Sequence, residues 1–146
     1  MDLTMKLTAH FTLNEALRSK KATELKVANT PTVAELATIH RTAIRMEIVR
    51  DVLGVPIVPS SWFRNEVVNK AVGGQPNSQH RKGEAVDFSC PDKSHNWIVQ
   101  TILENADIVL FDQLILEPNW VHISFTTSHV SPRKDPRFQY LDLSKQ

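Results

Sequence analysis

Two short apolar segments of the sequence each carry one polar side chain that can bind a metal ion. Residues 85–89 read Ala-Val-Asp-Phe-Ser, and residues 120–125 read Trp-Val-His-Ile-Ser-Phe. Because successive side chains of a strand point to opposite faces, Asp87 and His122 lie opposite the apolar residues that flank them. If both segments belong to one antiparallel sheet, the carboxylate and the imidazole converge on its polar face.

A second histidine can join this pair. His80 precedes Asp87, and Gly83 between them predicts a turn that swings His80 toward the polar face. Two imidazoles and one carboxylate can bind zinc and leave a fourth position for water, as in a catalytic zinc site. Cys90 is the only cysteine, so neither an internal disulfide nor a multi-thiolate zinc site can form. The spacing favours one zinc per chain, bound by His80, Asp87 and His122.

Metal-assisted hydrolysis also needs a proton acceptor and a group that holds the substrate. Glu117 has the strand parity of Gln113 and is predicted to face the same cleft, which suits a general base. Asp112 has the opposite parity and is the weaker candidate for the base. Arg64 can bind a substrate carboxylate through two parallel hydrogen bonds, and Gln113 can add a neutral contact.

The elements that position these residues follow from helix caps and periodicity. A capping-box pattern predicts a helix from Thr12 to about Lys21, and helical spacing predicts a long helix from Thr32 that ends at Gly54. Further helices are predicted at residues 66–71 and 94–105, and strands at residues 55–58, 84–89, 111–117 and 120–125, the last two joined as a hairpin by Pro118-Asn119.

Composition limits the class of protein. The 146 residues are 41% hydrophobic and 23% charged, which is typical of one globular domain. We expect a single domain at 1–146, with its core at about residues 8–126 and a loosely held tail at 132–146. The net charge of +1 argues against a nucleic-acid partner, and the sequence contains no run of about 18 apolar residues that would insert into a membrane.

The motifs resemble a known family. Residues 78–87, Ser-Gln-His-Arg-Lys-Gly-Glu-Ala-Val-Asp, match the S-x-H-x-x-G-x-A-x-D signature of the D-alanyl-D-alanine carboxypeptidase-like zinc peptidases. Residues 120–122 (Trp-Val-His) resemble their second metal motif, residues 61–64 (Ser-Trp-Phe-Arg) fit their Ser-x-x-Arg element, and residues 111–117 resemble their penultimate strand. The resemblance covers about residues 8–126.

The resemblance implies an α+β fold of the hedgehog/DD-peptidase type, in which a small antiparallel sheet carries the metal site and helices pack on one face. It also implies a zinc held by His80, Asp87 and His122, and cleavage of peptides in the bacterial cell wall. Many members place a catalytic acid three positions before the last ligand, where this chain has Asn119. Glu117 stands five positions before that ligand and takes the role of the base in our prediction.

Several functions fit this pattern. The leading hypothesis is an L-Ala-D-Glu endopeptidase acting on peptidoglycan stem peptides, because no long insertion separates the predicted strands to form a lid. A D-Ala-D-Ala carboxypeptidase with the same mechanism is the alternative. A catalytically inactive wall-binding module is kept open by Asn119, whereas a metal nuclease is disfavoured by the balanced charge.

The N-terminal residues lack a hydrophobic signal core. We therefore expect a protein made in the cytoplasm that reaches the cell wall after lysis or through a holin-type release partner, as an endolysin or a related lytic enzyme does. We also expect it to be a monomer.

Overall fold

A computed structural model of the chain describes residues 2–128 and 134–145. The helices of these residues are α1 (Leu13–Leu17), α2 (Lys20–Leu25), α3 (Val33–Leu53), α4 (Glu66–Ala71), α5 (Gln79–Lys82), α6 (His95–Glu104) and α7 (Ala106–Val109). The strands are β1 (Val58–Ser61), β2 (Ala85–Ser89), β3 (Gln113–Leu116), β4 (Val121–Ser124) and β5 (Gln139–Asp142). None of the described helices is long and apolar enough to cross a lipid bilayer.

Side-chain caps decide where the helices begin. Thr12 and Glu15 form a reciprocal capping box at the start of α1, and Thr32 and Glu35 form another at the start of α3. Gly54 ends α3 in the left-handed conformation, with φ of 69°, which glycine adopts without strain. The prediction of a long helix between Thr32 and Gly54 is confirmed.

The predicted helix from Thr12 to Lys21 is wrong in its extent, because two short helices replace it. Helix α1 ends at Leu17, and Arg18 takes an extended conformation. The side chain of Ser19 then accepts a hydrogen bond from the backbone amide of Ala22 and starts α2. This second cap starts a new helix where the capping-box pattern had predicted one continuous helix.

The five strands form one sheet in the order β1-β2-β4-β3-β5. Strands β1 to β4 pair antiparallel, and β3 and β4 form the predicted hairpin. Strand β5 pairs parallel to β3, so the expectation of a wholly antiparallel sheet is corrected to a mixed one. The edge strand β1 begins at Val58, where the predicted strand ended, and its outer position tolerates Pro59, which has no amide hydrogen to donate.

The core lies between one face of the sheet and the helices. In β2 and β4 the core residues alternate with Asp87 and His122, as predicted, and α3 and α6 contribute to the same core. The largest contributors among the strands and these two helices are Ile39, Met46, Phe88, Ile98, Ile102, Leu114, Val121 and Ile123. An α+β fold with helices against the apolar face of the sheet is thereby confirmed, and the opposite face is left for the polar residues.

Residues 134–145 are attached to the sheet, whereas we expected a loosely held tail at 132–146, of which residues 132, 133 and 146 lie outside the described part of the chain. Besides the pairing of β5 with β3, Asp112 receives hydrogen bonds from the backbone amide, Nε and Nη2 of Arg137, at 2.9, 3.1 and 2.8 Å. Gln79 Nε2 donates to the same carboxylate at 3.0 Å. The sequence did not predict this strand because its side chains are mostly exposed and its attachment depends on backbone pairing and on one buried carboxylate.

We expect Arg137→Met to lower the free energy of unfolding by about 1–3 kcal/mol, because it leaves the fully buried Asp112 carboxylate with fewer donors. Burial favours the neutral acid, but Arg137 outweighs it and keeps the pKa of Asp112 below its usual value. The stabilisation is therefore complete above about pH 4 and is lost as the pH falls through the lowered folded-state pKa.

Denaturant unfolding at pH 7 and in acid measures both effects, with Lys134→Met as the control in the same segment. A difference between Arg137→Met and the wild type that stays constant into acid would contradict the assignment to the Asp112 carboxylate.

Candidate metal centre

The register of the two central strands brings the predicted carboxylate and imidazole together. Asp87 of β2 lies directly opposite His122 of β4. Both side chains project from the face opposite the core, because their neighbours along each strand are buried against the helices. His122 Nδ1 lies 2.8 Å from Asp87 Oδ1, which is a hydrogen-bond distance. The convergence expected from strand alternation is observed.

His80 reaches the same carboxylate from the short helix α5. Ser78 caps this helix, and Gly83 ends it with φ of 80°. A Cβ atom on Gly83 would also lie 2.9 Å from Ile39 Cγ1, so glycine serves both the turn and the contact with α3. His80 Nε2 lies 3.2 Å from Asp87 Oδ1. The predicted turn therefore does bring His80 to the site, although a helical turn rather than a loop carries it.

One ligand atom from each of His80, Asp87 and His122 lies within 4.8 Å of the other two. His80 Nδ1 lies 2.7 Å from the carbonyl oxygen of Trp62, which can only accept a hydrogen bond. The ring proton is therefore on Nδ1, and burial lowers the pKa of His80, which favours the neutral ring. In that state the lone pair of Nε2 faces the Asp87 carboxylate.

The cluster contains more electron-pair donors than protons. Burial opposes ionisation of Asp87, but its interactions with the two neighbouring imidazoles outweigh it and hold its pKa well below the usual range. His122 Nε2 is buried and has no hydrogen-bond partner in the described part of the chain. An ionised carboxylate beside unprotonated imidazole nitrogens is stabilised by a cation, and one oxygen and two nitrogen donors suit zinc. The residues present therefore fit a divalent metal ion.

Glu117 lies at the end of β3, where its backbone amide donates to the carbonyl oxygen of Trp120 at 3.1 Å. Burial raises the pKa of Glu117, and its carboxyl also interacts electrostatically with His122 and Asp87. Glu117 is therefore close enough to the cluster for electrostatic interaction, and its role as the base stays a prediction. Asp112, the weaker candidate, is occupied by the hydrogen bonds from Arg137 and Gln79 described above.

Arg64 lies beside the cluster, with its Nη2 atom 3.9 Å from Asp87 Oδ2. Its backbone amide donates to the carbonyl oxygen of His80 at 3.0 Å, which ties the end of β1 to α5. Gln113 is on the metal-site face of β3, and its Nε2 donates to Gln139 Oε1 of β5 at 2.9 Å. The structure therefore brings Arg64 to the cluster, whereas the described contacts of Gln113 are with the tail.

Asn69 was missed by the sequence analysis. It is buried in α4, its Nδ2 donates to the carbonyl oxygen of Gln75 at 2.8 Å, and its Oδ1 lies 3.5 Å from Arg64 Nη1. A Cβ atom on Gly74 would lie 2.1 Å from Asn69 Oδ1, so the loop passes too close for a larger residue. The only available signal was one polar residue on the inner side of a short helix, which has no specific meaning by itself.

Cys90 does not supply an alternative nucleophile. It is buried, and burial raises its pKa to about 11, so the thiol stays protonated near neutral pH.

Asn69→Ala is expected to lower the free energy of unfolding by about 1–3 kcal/mol, because the carbonyl of Gln75 loses a buried donor. Hydrogen exchange at the amides of residues 73–78 should accelerate, since the loop loses its anchor. Asn77→Ala, an exposed asparagine of the same loop, is the matched control. Equal stability and equal exchange in the two variants would show that Asn69 does not hold the loop.

Comparison with known proteins agrees with this geometry. Residues 9–124 match the family described as Peptidase M15, and the matched range includes His80, Asp87 and His122. A search of curated proteins gave no significant match. The family match covers well over half of the chain and confirms the resemblance that the motifs at residues 78–87 and 120–122 predicted. The chain therefore belongs to the Peptidase M15 family of peptidases.

Proposed function

We propose that this protein is a zinc metallopeptidase that hydrolyses peptidoglycan stem peptides, and specifically an L-Ala-D-Glu endopeptidase. The observation that carries the proposal is the cluster of His80, Asp87 and His122, in which one ligand atom of each residue lies within 4.8 Å of the other two. Membership of a peptidase family supports hydrolysis of a peptide bond as the reaction.

The three ligands have distinct tasks in this proposal. His80 presents Nε2 because the carbonyl oxygen of Trp62 accepts the proton of Nδ1, an outer contact that orients metal-binding histidines. Asp87 supplies the negative charge, and His122 supplies the second nitrogen. A zinc ion at this site supplies a Lewis acid that polarises the scissile carbonyl and lowers the pKa of a water molecule toward about 7.

Glu117 accepts the proton of the attacking water and returns it to the leaving amine. The raised pKa of Glu117 suits this exchange, because a base with a pKa nearer neutrality is also a competent acid. Arg64 binds a substrate carboxylate through its planar guanidinium group. Gln113 donates one amide hydrogen to Gln139 and offers its second amide hydrogen and its oxygen to the peptide.

The connections between strands favour an endopeptidase. Residues 117–120 join β3 to β4, and the longer connection from β2 to β3 forms α6 and α7, of which α6 packs on the core face. The position of α6 on the core face leaves it clear of the metal-site face, which supports a substrate peptide that extends beyond the scissile bond in both directions. A D-Ala-D-Ala carboxypeptidase would need a wall that closes around the terminal residue.

In this proposal the protein acts as a monomeric cell-wall lytic enzyme of the endolysin type, reaching its substrate after lysis or with a holin-type partner. A catalytically inactive wall-binding module is the second candidate, because Asn119 stands where many relatives carry an acid.

Metal analysis of the purified protein is expected to give one zinc per chain. His122→Ala should lose most of the metal and nearly all activity, because two remaining ligands hold zinc weakly. His40→Ala is the matched control, since His40 is an exposed residue of α3 and is not one of the three clustered residues. Full activity of the chelator-treated protein would exclude the zinc mechanism.

Glu117→Gln is expected to retain zinc while the rate of peptide hydrolysis falls by about a hundredfold or more, because the proton acceptor is lost. Glu104→Gln, an exposed glutamate of α6, should leave the rate unchanged. Zinc binding with no hydrolysis in the wild type would instead support the inactive wall-binding module.

Mass spectrometry of digested stem peptides should show a new N-terminal D-Glu and an intact terminal D-Ala. Free D-Ala as the main product would mean that the enzyme is a carboxypeptidase with the same metal chemistry.

A further inference from the structure

An open cleft of about 350 Å³ lies between α2, β1 and α4. Its polar lining comes from Ser19, Lys20 and Lys21 on one side and from Ser60, Ser61 and Arg64 on the other. The volume is at the lower end of the range of small-molecule sites, about 300–1,000 Å³.

The cleft adjoins the metal cluster. Arg64 lines the cleft, and its Nη2 atom is 3.9 Å from Asp87 Oδ2. Ser61 also lines the cleft and pairs in register with Asp87. A peptide whose scissile bond lies at the cluster therefore places a neighbouring residue at the mouth of the cleft.

The charges of the cleft favour an anion. Its walls carry three cations, Lys20, Lys21 and Arg64, against the single carboxylate of Glu24. Lys21 Nζ lies 3.2 Å from Glu24 Oε2, so this pair is internally balanced. Lys20 makes no ion pair in the described part of the chain, and Arg64 belongs to both the cleft and the cluster, where its Nη2 atom is 3.9 Å from Asp87 Oδ2.

We infer that this cleft is a carboxylate subsite, in which Lys20 together with Arg64 distinguishes a free carboxylate beside the scissile bond from a carboxamide. This inference rests on the proposed function and specifies its substrate as the non-amidated stem peptide. A carboxylate accepts hydrogen bonds from both cations, whereas an amide at the same position carries no charge and presents an NH₂ group to them.

The test uses two synthetic stem peptides, L-Ala-γ-D-Glu-L-Lys-D-Ala, in which D-Glu is joined to L-Lys through its γ-carboxyl group. Its α-carboxyl group is free in one peptide and amidated in the other. The zinc-loaded wild type is expected to have the lower KM for the free acid. Lys20→Met should raise that KM about threefold to fivefold, the scale of one exposed ion pair, with kcat and the KM for the amide unchanged. Lys145→Met, an exposed lysine of the tail, is the control of equal charge and should change neither KM.

Calorimetric titration of the same peptides into zinc-loaded Glu117→Gln measures binding without turnover. The free acid should bind more tightly than the amide, and adding Lys20→Met should remove most of that preference. Equal affinity for the two peptides, no binding of either, or equal effects of Lys20→Met and Lys145→Met would overturn the inference.

The same experiment tests the peptidase activity and the carboxylate subsite separately. If the wild type cleaves neither peptide but binds the free acid in a Lys20-dependent way, the proposed peptidase activity fails and the subsite stands. If it cleaves both with equal KM, the peptidase stands and the subsite fails.

Discussion

The metal centre depends on the register between β2 and β4. Asp87 and His122 face each other only because the antiparallel pairing aligns them directly, and a shift of one residue would turn one of them into the core. The buried apolar residues on the opposite face hold this register, because exposing Val86 and Phe88 to water would lose the free energy gained by burying them. The apolar packing of one face thus fixes the geometry of the polar face.

Burial gives the cluster its chemical character. A buried polar atom without a partner costs about 1–3 kcal/mol, and here His80 Nε2 and His122 Nδ1 lie 3.2 and 2.8 Å from the same oxygen of the Asp87 carboxylate. Such an arrangement persists only because the surrounding fold determines it, through the Trp62 carbonyl on one side and the strand register on the other. A bound cation would satisfy all three groups at once.

The two acidic residues at the ends of β3 show how environment assigns different tasks to the same functional group. Asp112 is fully buried and satisfied by Arg137 and Gln79, so its charge serves to attach the tail and to support the segment that carries His80. Glu117 is half-buried, lies near the cluster and has a raised pKa. In the proposed mechanism Glu117 is therefore the general base, because a raised pKa suits proton exchange.

Local patterns in the sequence determined the candidate ligands, the alternation of the central strands, the limits of α3 and the family. These features depend on residues close together in the chain, such as the motif at residues 78–87 and the capping box of Thr32 and Glu35. Only the tertiary structure decided the parallel pairing of β5, the task of Asp112, the place of Asn69 and the cleft beside Arg64. Each of these depends on contacts between distant segments, where backbone pairing and single buried polar groups outweigh a local pattern that is weak or absent.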